Sequence, residues 1–145
     1  PTLKSRCLNF KILLNYKDSI SIINKILKDD IHEYLNKEFI SNYSTPGYLL
    51  RLFNFSKDFN VDLKNKSLKD IILLIIKEKY FKKDTALKEM SYYLIELYFR
   101  STISIKNIEL INFYNIFVKK VNNTKNFNLD DESLFMEFED RVLNG

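Results

Sequence analysis

Few residues in this chain are equipped for acid–base or nucleophilic chemistry. His32 is the only histidine and Cys7 the only cysteine, and no serine or cysteine partner stands beside His32 in the way a catalytic triad needs. A single thiol also excludes a disulfide framework and a thiolate cage for zinc. Paired carboxylates occur at Asp29-Asp30 and Asp130-Asp131. Each pair falls where a helix is expected to begin, and negative charge there complements the helix dipole. Gly47 and Gly145 are the only glycines, so a phosphate-cradling loop, whose backbone must approach its ligand closely, cannot be built. The chain is therefore not expected to bind and hydrolyse a nucleoside triphosphate unaided, and no metal or cofactor site is expected within it. Nine tyrosines and 12 phenylalanines fall mostly on the apolar faces of expected helices, which is core packing rather than a platform for stacking bases. Arg6 remains, in the string Pro1-Thr2-Leu3-Lys4-Ser5-Arg6-Cys7. By residue type alone it is a surface arginine.

The elements that must position these residues are read from composition and period. A hydrophobic fraction of 46% over 145 residues supports a real core, in one domain or two small ones sharing a seam. With only two glycines and two prolines, the tight turns of an all-β fold are hard to supply, so an all-α fold is expected. The net charge of +4 comes from 23 basic residues interleaved with 19 acidic ones, the pattern of solvated helix surfaces. Abundant Lys, Ile, Asn, Phe and Tyr fit an AT-rich genome better than functional basicity. The longest apolar run, Ile71 to Ile76, is far short of the roughly 20 residues that span a bilayer. A cytoplasmic location without membrane contact is expected. The start at Pro1, with no initiator Met, reads as a chain cut from something longer.

Leu8, Phe10 and Ile12 alternate with Asn9 and Lys11, the period of a half-buried strand whose sheet would lie elsewhere. The period then turns helical. Asp18 or Ser19 is expected to cap a helix bearing Ile20, Ile23, Ile26 and Leu27. A second helix carries Ile31, Leu35 and Phe39. A third is capped by Thr45, begins at Pro46 and buries Leu49, Leu52 and Phe53. Asn60 to Lys66 is the best candidate linker. Ser67 and Asp70 form a capping-box variant for a helix with Leu68, Ile71, Ile72, Ile75 and Ile76 on one face. Asp84 caps the next, with Leu87, Met90, Leu94, Leu97 and Tyr98 inward. A long helix from about Ile105 to Val121 is expected to break at the Asn-rich stretch 122–128. A last acidic helix runs from about Asp131 to Leu143, with Phe135, Phe138 and Val142 inward. The four later helices can bury their stripes as a bundle.

Two strings carry a family resemblance. Thr2-Leu3-Lys4-Ser5-Arg6-Cys7, running into Leu8-Asn9-Phe10-Lys11-Ile12, resembles the Ser-Arg-Cys motif that clamp loaders of the AAA+ family carry near the end of their nucleotide-binding domain. Ser44-Thr45-Pro46-Gly47-Tyr48-Leu49-Leu50 is similar to the Gly-Ser-Pro-Gly-x-x-Leu stretch of their delta-prime class, with Ser44 and Thr45 in place of its first two residues. Where this chain has Gly47, the related gamma/tau motor class usually carries an arginine that senses nucleotide in cis. The last helix, Ser133 to Leu143, resembles the final collar helix of delta-prime in position and character.

The resemblance implies a division of the chain into the tail of a nucleotide-binding-type domain at 1–16, a helical lid at 17–60 and a helical oligomerisation collar at 64–145. It implies a non-catalytic stator in the pentamer that loads the sliding clamp onto primed DNA, as part of the DNA polymerase III holoenzyme. Arg6 would then be an arginine finger acting in trans on ATP bound by a neighbouring subunit, flanked by Ser5 and Cys7. Thr45, Pro46 and Gly47 would form the sensor-2-like region. Implied partners are the gamma/tau and delta subunits, with primer-template DNA met through the assembled complex. Tyr92, Tyr93, Ile95, Phe99 and Phe113, left over once each helix assigns its stripe, fit either a second interface or burial on two sides within one bundle. The rival reading is a helical adaptor or nucleic-acid-binding domain unrelated to replication, for which salt-dependent DNA affinity would be the mark.

Overall fold

The computed structural model describes residues 14–103, 107–127 and 130–144. The expected strand over Leu8–Ile12 lies outside them. Six α-helices account for the architecture: α1 (Tyr16–Leu27), α2 (Pro46–Asp58), α3 (Leu68–Lys77), α4 (Thr85–Thr102), α5 (Ile108–Phe127) and α6 (Glu132–Phe138). The described residues form an all-α fold without strands.

The local start signals act as their chemistry dictates. Thr45 Oγ1 accepts the Tyr48 amide at 3.2 Å and Pro46 takes the first helical position, where its missing N–H costs nothing. Ser67 and Asp70 exchange both bonds of a capping box ahead of α3. Asp84 Oδ1 accepts the Leu87 amide at 2.7 Å ahead of α4. For α1 the cap is Asn15, whose Oδ1 accepts the Asp18 amide at 2.9 Å; Asp18 sits in the first turn and Ser19 is buried. Lys28, at φ 58°, closes α1 in the left-handed region.

In place of the expected helix over Ile31–Phe39 stand two single 3₁₀ turns, Ile31–Glu33 and Lys37–Phe39. Asp30 and Asn36 cap these turns with their side chains. The Asn36 amide, which a continuous helix would direct to the His32 carbonyl, donates instead to Leu63 O at 3.0 Å. Ile31, Leu35 and Phe39 are nevertheless all buried. The same bond pins the stretch after α2. Val61 and Leu63 are buried, and Ser56 bonds Val61 twice, by its carbonyl to the amide and by its hydroxyl to the carbonyl. Val61 and Leu63 thus anchor the stretch 60–66, whose other residues are exposed. In α2 the deep aromatic is Phe55; Phe53 is only partly buried.

α3 buries the expected Leu68, Ile71, Ile72, Ile75 and Ile76. α4 buries Met90, Leu94 and Leu97 as expected, and also Tyr92, Ile95 and Phe99, so it is covered from two directions. α5 does not break at Asn122 but continues to Phe127. Thr124 is buried and its hydroxyl donates to the Lys120 carbonyl at 2.9 Å. An Asn in a helix costs only about 0.7 kcal/mol relative to Ala, less than the burial it would forfeit here. α6 runs on into a π-helical turn, Glu139–Leu143, that buries Leu143. One continuous set of buried side chains spans α1 to the chain's last turn.

Removing the α3 cap tests the local reading. Ser67→Ala should lower stability by about 1 kcal/mol, seen as a reduced urea midpoint with an unchanged denaturant slope.

Candidate functional site

Ser5, Arg6 and Cys7 lie outside the described residues. The second group of sequence candidates, Thr45, Pro46 and Gly47, forms the start of α2. Gly47 has an ordinary negative φ, and a Cβ built on it would meet nothing within 4 Å. The glycine is permitted here, not required. Below it, Tyr48 is buried with its hydroxyl making no hydrogen bond. Burial pushes that hydroxyl's pKa well above the usual tyrosine value, and the neighbouring Tyr93 adds to the shift. The rings of Tyr48 and Tyr93 lie 3.9 Å apart, and the Tyr93 hydroxyl is 3.3 Å from Ser41 Oγ and 3.4 Å from Ser44 Oγ.

The residues weighed for hydrolytic chemistry are engaged structurally. His32 sits on a 3₁₀ turn with Nε2 3.4 Å from the Tyr16 hydroxyl. Asp29 accepts the Tyr34 hydroxyl at 2.7 Å, which holds its carboxyl below the usual range, while Asp30 caps the turn that follows. Asp130 accepts the Glu132 amide at 3.1 Å. Asp131 makes no capping bond; its carboxylate instead accepts Lys88 Nζ at 2.8 Å and the Tyr92 hydroxyl. Tyr92 is buried, and desolvation together with Asp131 drives its pKa far up. Among the described residues no three His, Cys, Asp or Glu side chains converge in a way that could hold a metal ion. No described helix is long and apolar enough to cross a membrane.

Of the residues that fit either a second interface or two-sided burial, Tyr92, Ile95, Phe99 and Phe113 are buried within this chain. Phe99 packs its ring against Phe113, Tyr114, Phe117 and Phe138. Tyr93 is only partly buried and lines a groove of about 330 Å³ between α4 and α5. Its walls include Tyr92, Tyr93, Tyr114 and Val118, with Glu89 and Glu96 among its polar lining. Spacing along either helix gives no hint of this groove, since it depends on how two helices are set against each other.

Cations gather on α6. Lys79 Nζ lies 2.7 Å from Glu132, which Lys82 also contacts, and Lys120 Nζ lies 2.5 Å from Glu137. The hydrogen bonds from Lys79 and Lys82 bring the Glu132 pKa from an ordinary 4.5 down to about 2. A carboxylate so depressed contributes stability that is fully present above 4.5 and is lost as pH falls toward about 2. Glu132→Gln should therefore flatten the acid limb of a stability–pH profile in that window, measured by urea unfolding, and leave its shape above it unchanged. Gly47→Ala should raise stability by about 0.5–1 kcal/mol, read as a higher melting temperature. No family model, curated protein or solved structure matches the chain.

Proposed function

We propose that the chain is the C-terminal part of a clamp-loader stator of the delta-prime class, with Arg6 as an arginine finger offered to ATP on a neighbouring subunit. The reading rests on the strings Ser5-Arg6-Cys7 and Ser44 to Leu50. The observation that carries it is the start of α2: Thr45 caps, Pro46 opens the helix, and Gly47 stands where a motor subunit would carry its sensing arginine. The all-α fold is the architecture that a lid and collar require.

In this role the chain performs no bond-breaking step of its own. A guanidinium keeps its charge and presents several donors, so Arg6 at a partner's γ-phosphate would stabilise charge as it develops in the transition state. Ser5 would orient the loop that carries it and Cys7 would be buried, neither of them taking part in the chemistry. The helical remainder would hold the stator to the gamma/tau and delta subunits, and primer-template DNA would be met only through the assembled ring.

Two measurements separate the parts of this reading. The chain, or the longer subunit containing it, should co-purify with gamma/tau and delta subunits; failure to do so would sink the subunit assignment. In the assembled loader, Arg6→Ala should leave assembly intact and lower primed-DNA-stimulated ATP hydrolysis strongly, since fingers of this kind are worth about 10³-fold or more in the best-characterised GTPases. Wild-type hydrolysis by that variant would remove the finger role while leaving the subunit assignment standing.

A further inference from the structure

We draw no further inference here: the strongest candidate, the exposed apolar surface of α5 that carries Ile108, Ile116, Val118 and Phe127, is a helix face for which nothing in the structure shows what covers it.

Discussion

Phe99 on α4 and Phe138 on α6 are both fully buried, their ring centroids 5.2 Å apart, and Phe117 of α5 meets both rings within 5.7 Å. This three-helix aromatic contact fixes the last helix to the body of the fold. Burying one phenylalanine contributes about 1.5–3 kcal/mol, whereas an exposed ion pair contributes about 0–1 kcal/mol. The lysines that reach Glu132 and Glu137 therefore orient α6 more than they hold it. Phe135 adds a second wedge, stacked on Phe81 and Tyr92 with centroids 4.2 and 5.2 Å away.

With α6 seated on one side of α4, and α2 on the other through Tyr48 and Tyr93, the residues of α4 that exceed a single amphipathic stripe acquire partners inside the chain. This explains why Asp131 abandons its capping geometry. At the helix start it would satisfy one amide; turned inward it satisfies both Lys88 and the buried Tyr92 hydroxyl. Asp130, one residue earlier, accepts the Glu132 amide.

How much was legible in the sequence follows the range of each interaction. Thr45, Ser67 and Asp84 act within three residues of themselves, so their caps could be read directly. The interruption at Asn36 could not, because it is set by a bond to Leu63 across the fold. The continuation of α5 through Asn122 and Asn123 likewise depends on Thr124 being buried by its surroundings, which overrides weak local preference. The double burial of α4 was one of two open readings of Tyr92, Ile95, Phe99 and Phe113, and only the placement of α5 and α6 decides it. The groove beside Tyr93 was illegible for the same reason, being a property of spacing between helices.

The start of α2 shows how far structure can sharpen a motif. A glycine is informative when a positive φ or a crowded backbone demands it, and Gly47 has neither. Packing would admit a long side chain at that position without rebuilding the turn. Space alone therefore does not decide the residue at position 47. In the stator reading the subunit senses no nucleotide in cis, so nothing calls for a cation at the head of α2. A glycine in open space fits that reading, yet its weight comes from the motif around it, since the same glycine would be equally at ease in any helix whose first turn faces away from the core.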